Sequence, residues 1–305
     1  MMMLQIKRKR MKGTYATLFY GGALVLIFFI IGAFVITPTF ARPKDDSGAI
    51  LVNNIVYALR DSLELSKLYI DTSARYSLYQ AAYDNAKNGG FADSEPRRTF
   101  TNDGSEYVVW YDGKDFSPSQ DSLEKSLEIA AGENFKEYMK VGGVTAIFPV
   151  TLPSYGGLDI ENVANYSVMI LSKGDADLSL KRVTGNEHEI TVERSSDIEM
   201  EVEIPYFQLA EEAKALQKEI EEYLSACEKG ALEVSRDSWC CSAESEIIND
   251  SAGLCLVKVE VVTKKKFLVQ DEDKTVFSPI RLVFTLLHEE EQPVSEPAGD
   301  ESESE

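Results

Sequence analysis

Apolar and polar positions divide the chain into stretches of different period. Leu18 to Ile36 (LFYGGALVLIFFIIGAFVI) is apolar throughout apart from Tyr20 and small residues, and no charge falls between Gly13 and Ala41. As a helix this run spans roughly 28 Å at 1.5 Å per residue, close to the thickness of a bilayer's hydrocarbon core. A helix also satisfies its own backbone groups, as lipid requires. Pro38 and Pro43 end it. Beyond Pro43 the period stays near 3.6. Ser47 opens a helix that runs to Gly89-Gly90, with Val52, Val56, Leu59, Leu63 and Ile70 at helical spacing and a tyrosine stripe (Tyr69, Tyr76, Tyr79, Tyr83) assigned to the core. Ala92 to Gly104 is rich in turn formers. Glu106 to Tyr111 predicts a strand, Ser117-Pro118 opens a second helix through about Lys140, and Val144 to Pro149 predicts another strand.

From Val163 the period changes to two. Strands are predicted at Ser167–Leu171, Leu178–Val183, Ile190–Val192 and Ile198–Ile204. In the last of these, Ile198, Met200, Val202 and Ile204 alternate with Glu199, Glu201 and Glu203, so one face is buried and the other carries carboxylates. Pro205 starts a third helix to about Ala226. Two more strands, Leu254–Thr263 and Phe277–Leu287, flank a polar hairpin from Lys264 to Lys274. From Glu289 the sequence EEEQPVSEPAGDESESE lacks bulky hydrophobes except Val294 and predicts a disordered tail. Strands and helices without βαβ alternation define an α+β fold: an exported domain with a long helix, two further helices and a mainly antiparallel sheet.

Charge gives the apolar run a direction. The 305 residues carry 31 Lys+Arg against 51 Asp+Glu, a formal net charge of -20. Yet Lys7, Arg8, Lys9, Arg10 and Lys12 all precede the run, and no acid does. By the positive-inside rule the N-terminus stays in the cytoplasm and the rest is exported. Thr39-Phe40-Ala41 resembles a signal cleavage site, but the apolar region exceeds the usual about 7–15 residues of a cleaved signal, which favours an uncleaved anchor. The predicted organisation is a basic tip (1–13), a transmembrane helix (14–38), an exported domain (44–288, helical to about 140 and sheet-rich from about 144) and the acidic tail (289–305). The partners expected are the bilayer through residues 18–36 and other envelope proteins or a second copy. Nucleic acid is excluded, because a phosphate backbone is bound by clustered bases.

All four cysteines, Cys227, Cys240, Cys241 and Cys255, fall in one short stretch. In an oxidising compartment such a set predicts two disulfides. Adjacent residues reach disulfide geometry only with strain. That disfavours a Cys240–Cys241 bond and leaves Cys227–Cys240 with Cys241–Cys255, or Cys227–Cys241 with Cys240–Cys255. A four-cysteine zinc site does not match, since its signature is two C-x2-4-C pairs. Asn165-Tyr166-Ser167 and Asn249-Asp250-Ser251 are glycosylation acceptors by pattern.

Chemistry is sparse. The two histidines, His188 and His288, sit beside acids and outside any nucleophile motif. There is no H-E-x-x-H, no phosphate-binding glycine loop and no dinucleotide fingerprint, so no catalytic, cofactor-binding or metal-ligating residue is assigned and no cofactor is expected. The Glu199/Glu201/Glu203 row is taken to face water rather than a cation.

The order of basic leader, apolar helix, amphipathic helix, antiparallel sheet and C-terminal disulfide resembles that of the type IV pilins, and Lys12-Gly13 resembles a leader-peptide junction. Counting from Thr14, the fifth residue is Leu18, where bacterial pilins place glutamate. The resemblance implies a filament subunit. The leading expectation is a single-pass, membrane-anchored extracytoplasmic protein with a non-catalytic binding or assembly role in the envelope; a membrane-anchored hydrolase using carboxylates is the third.

Overall fold

A computed structural model describes residues 47–102, 104–141, 148–164, 166–183, 189–224, 235–249, 254–272 and 274–289. The apolar run, the Val144–Pro149 strand except its last two residues, His188, Asn165, Cys227 and the acidic tail beyond Glu289 lie outside them. Among the described residues no helix is long and apolar enough to cross a membrane.

The fold is α+β, with three helices and mainly antiparallel sheets among the described residues. Helix α1 (Ser47–Lys87) is followed by strands β1 (Thr99–Asn102) and β2 (Ser105–Tyr111) and by helix α2 (Gln120–Val141). Then come β3 (Asp159–Ala164), β4 (Ser167–Ser172), β5 (Leu178–Val183), β6 (Glu189–Arg194) and β7 (Ile198–Glu203). Helix α3 (Tyr206–Leu224) leads to β8 (Ser235–Asp237), β9 (Cys241–Asn249), β10 (Leu254–Asp271) and β11 (Lys274–Glu289). Residues 1–60 with 182–190 form one compact unit, and 61–181 with 191–305 form a second. The first is described only through the start of α1 and the adjoining ends of β5 and β6. The second holds the packed layers.

The largest sheet of this second unit has the order β1-β2-β11-β10-β9-β8. Most pairs are antiparallel, but β2 runs parallel to β11, with Thr285 opposite Val109. The helical part of the sequence thus contributes strands to the same sheet as the C-terminal part. A second sheet, β3-β4-β7, is antiparallel, and β5 and β6 form a third. One core joins α1 from Leu63 onward, α2, α3 and these sheets.

The C-terminus of α1 fixes the junction of these layers. Gly89 and Gly90 adopt φ of 65° and 92°, the left-handed region that favours glycine at a helix end. The Gly90 amide donates to the Asn85 carbonyl at 2.7 Å. A Cβ on Gly89 would stand 2.7 Å from Val108 Cγ1, so β2 can approach only a glycine. Trp110 of β2 fills the space, donating from Nε1 to the Gly89 carbonyl at 2.9 Å. Its ring stacks on Phe284 of β11 at 3.8 Å.

Several elements depart from the sequence expectation. β1 lies inside the turn-rich segment, where only four residues extend. β10 does not stop at Thr263: it continues through Lys264-Lys265-Lys266 with a register shift between Val262 and Lys266, and the hairpin turns at Glu272, whose φ is 52°. The lysines are tolerated because this irregular segment sends them outward, Lys264 to Asp237 at 2.7 Å and Lys265 to Glu203 at 3.0 Å. The tyrosine stripe is only partly core. Tyr83 is buried, whereas Tyr69, Tyr76 and Tyr79 are half-buried. The buried seam of α1 instead combines aliphatics, Leu59, Leu63, Ile70 and Leu78, with small residues, Ser62, Ser66, Ser73, Ala74, Ser77, Ala81 and Ala86 among them.

Candidate functional site

Among the described residues, the densest cluster of reactive side chains is the turn between β8 and β9. Asp237 pairs with Ser242, so Ser238, Trp239, Cys240 and Cys241 form a four-residue loop closed by the Ser238 amide donating to the Cys241 carbonyl at 2.8 Å. Serine suits this position because its hydroxyl bonds locally to the backbone. Ser238 Oγ accepts from the Cys241 amide at 3.3 Å and lies 3.4 Å from the sulfur of Cys240 and of Cys241. From the next strand, the Lys264 amide donates to the Cys240 carbonyl at 2.8 Å. Both thiols are buried and free, and their sulfurs are 2.6 Å apart. Trp239, the residue before them, is 67% exposed and meets the ring of Tyr166 edge-on at 6.2 Å.

Cys255 is disulfide-bonded, but neither pairing expected from the spacing accounts for it, since each joins Cys255 to Cys240 or Cys241. The register shows why. Cys241 sits opposite Thr263 of β10, and Cys255 lies at the other end of that strand, opposite His288 of β11. Eight residues of extended chain separate Thr263 from Cys255, roughly 27 Å at about 3.4 Å each, against the about 4.4–6.8 Å between Cα atoms that a disulfide spans. The sequence places the cysteines close; the ladder holds them apart.

Glu212 of α3 completes a trio. Its carboxylate and the two sulfurs all lie within 4.8 Å of one another, the one group of three such donors that close together among the described residues. Zinc bound tetrahedrally by two thiolates at about 2.3 Å holds the sulfurs about 3.8 Å apart. As placed, these sulfurs are more than an ångström too close for that geometry. Burial pushes the Cys241 thiol up to about 12, the hydrogen bond with Cys240 adding to the rise, which further opposes the thiolate a metal needs.

Concave surface among the described residues includes two grooves. One of about 710 Å³ lies between the second half of α2 and the Leu152–Tyr155 segment. Its tyrosine, Tyr155, is committed to the fold: it donates to the Ser196 carbonyl at 2.8 Å, and burial pushes its hydroxyl up to about 12. The other, about 360 Å³, gathers Asp84, Glu137 and Glu272 with Gln80. Burial raises the Asp84 carboxyl despite two hydrogen bonds from Gln80 Nε2 at 2.9 and 3.1 Å. A carboxylate pair for acid–base chemistry needs two groups with opposed environments, and this groove supplies one raised acid.

The remaining candidates disperse. In the acidic row of β7, Glu201 accepts from Ser167 at 2.7 Å and Glu203 from Lys265 at 3.0 Å, so two of its three carboxylates serve the sheet. Asn249 ends β9 opposite Leu256, and His288 is half-buried on β11. Gln80 is the residue that sequence reading passes over. It clamps one residue of β10, donating to the Gln270 carbonyl at 3.0 Å and accepting from its amide at 2.7 Å. A buried glutamine on a helical apolar face is the only signal it leaves. The chain matches no protein-family model, no curated protein and no solved structure.

Proposed function

We propose that the chain is a single-pass membrane protein whose α+β domain lies outside the cytoplasm and binds or assembles with other envelope components without catalysing a reaction. The observation that carries this reading is the nineteen-residue apolar run behind five bases and no acid. The disulfide at Cys255 supports it, since such bonds persist in oxidising compartments. The test is topology in intact cells. A tag behind Glu305 should be removed by protease added outside, while an N-terminal fragment stays with the membrane through alkaline washing. A protected tag, or a chain that washes off, overturns the reading. In-membrane cross-linking should then give discrete adducts with another envelope protein or with a second copy, and turnover of an envelope substrate by the purified chain would contradict the non-catalytic role.

A pilin-like filament subunit is the second reading. It is favoured by the contacts of α1 with the β10–β11 hairpin, through Gln80, Tyr79 on Phe267 at 5.1 Å, and Lys87 with Asp271 at 2.9 Å. Mass spectrometry of the membrane-extracted N-terminus separates the two: cleavage after Gly13 supports the filament, and an intact Met1 opposes it.

A further inference from the structure

We propose that Cys240 and Cys241 are a redox-active pair that closes into a vicinal disulfide by exchange with a low-molecular-weight disulfide. Three observations converge on it. The β9–β10 register removes Cys255 as a partner for either thiol, and Cys255 is already bonded, so it has no thiol to offer. The sulfurs stand 2.6 Å apart, between a covalent S–S bond of about 2.05 Å and ordinary van der Waals contact, and too close to share a metal without the turn opening. The turn itself holds them there, through Ser238 on one side and the Lys264 amide on the other.

Closure proceeds in two exchanges. The Cys240 thiolate attacks one sulfur of the donor R–S–S–R, forming a Cys240–S–S–R mixed disulfide and releasing R–S⁻, which takes up a proton. Cys241 then gives up its proton and attacks the Cys240 sulfur. This forms the Cys240–Cys241 bond, breaks the bond to R and releases the second thiol. The protein loses two electrons and two protons, and the donor gains them. Burial makes Cys241 a poor first nucleophile, but as the resolving thiol its attack is intramolecular at contact distance. Adjacent Cα atoms are only about 3.8 Å apart, short of the usual disulfide span, so the bond is a labile one that mild reductant reopens. The chemistry is testable on the purified chain and is independent of its membrane topology.

The full-length protein, extracted in detergent, is incubated with cystine, quenched in acid, alkylated and digested without reductant. The expected peptide carrying Cys240 and Cys241 is two hydrogens lighter than the dithiol, unalkylated and joined to no other peptide. Dilute dithiothreitol, at a level that leaves Cys255 oxidised, should restore double alkylation. Cys241→Ser should accumulate a cysteine adduct on Cys240, and Cys240→Ser should form its adduct roughly tenfold more slowly. Linkage of Cys240 or Cys241 to Cys227 or Cys255 overturns the proposal. So does unchanged double alkylation after cystine, or a dithiol that yields to cystine only once a chelator has removed bound zinc.

Discussion

Helices α3 and α1 both pack into the same core, with different mixtures of side chains. α3 lies on β9, β10 and β11 and turns Leu209, Leu216, Ile220 and Leu224 into it, all of them buried. α1 turns in Leu63, Ile70 and Leu78 as well, but interleaves them with buried serines and alanines and secures itself to β10 with the Gln80 clamp. Large aliphatics stabilise through buried area, on the order of 25 cal/mol per Å². Small residues bury little, but they let backbones approach, and two of the buried hydroxyls bond within the helix: Ser66 Oγ donates to the Ser62 carbonyl at 2.8 Å and Ser77 Oγ to the Ser73 carbonyl at 2.7 Å. Both helices are held by transfer from water, and α1 adds a close fit of small residues and a polar anchor.

Breaking the first kind of contact has the largest effect. Leu216→Ala leaves a cavity under α3 and should destabilise the chain by about 2–5 kcal/mol in equilibrium urea unfolding; a loss as small as that of a surface change would show that α3 is not a core element. Next is the anchor of α1. Gln80→Leu keeps the volume but leaves the Gln270 amide and carbonyl without their side-chain partner, and should cost about 1–3 kcal/mol. Faster hydrogen exchange at the Gln270 amide would distinguish loss of the clamp from a general loosening.

The same contrast explains how much was legible in the sequence. α3 was legible because Leu209, Leu216 and Ile220 recur at helical spacing, and β7 because Ile198 and Val202 alternate with glutamates. α1 was legible as a helix with its C-cap and with Leu59, Leu63 and Ile70 on its buried face, but the small residues that share that face were not. Tyrosines look like a core stripe, whereas serines look like solvent, and only the i to i−4 hydroxyl bonds remove the penalty for burying them. β9 carries Ser242, Glu244, Ser245 and Glu246 against Ile247 and Ile248, too weak an alternation to be seen. The cysteine turn stayed hidden for a related reason: spacing along the chain says nothing about which end of a ladder a residue occupies.

A smaller effect, with a sign set by pH, should come from the edge of the α1 anchor. Burial raises the Asp84 carboxyl above its ordinary value of 3.8, so the folded state holds its proton more tightly than the unfolded chain does. That group's effect on stability therefore turns unfavourable as pH rises through its folded value, and it vanishes below the unfolded one, where both states are protonated. Asp84→Asn keeps an acceptor for Gln80 and removes the buried charge. The variant should be the more stable at neutral pH, and its advantage should fade as pH falls toward 3.8. An advantage that is constant across that range would assign it to packing rather than ionisation.

The smallest expected change tests the seam itself. Ser77 is fully buried, and its hydroxyl donates to the Ser73 carbonyl of its own helix. Ser77→Ala removes the hydroxyl donor and its need together, and alanine has the higher helix propensity, so stability should move by no more than about 0.5 kcal/mol. Ser77→Leu serves as the counterpart: it adds apolar surface but forces extra volume into a close approach, and should destabilise by about 1–3 kcal/mol. If the leucine variant were as stable as wild type, α1 would have room to spare on this face, and close approach would not be what its small residues supply.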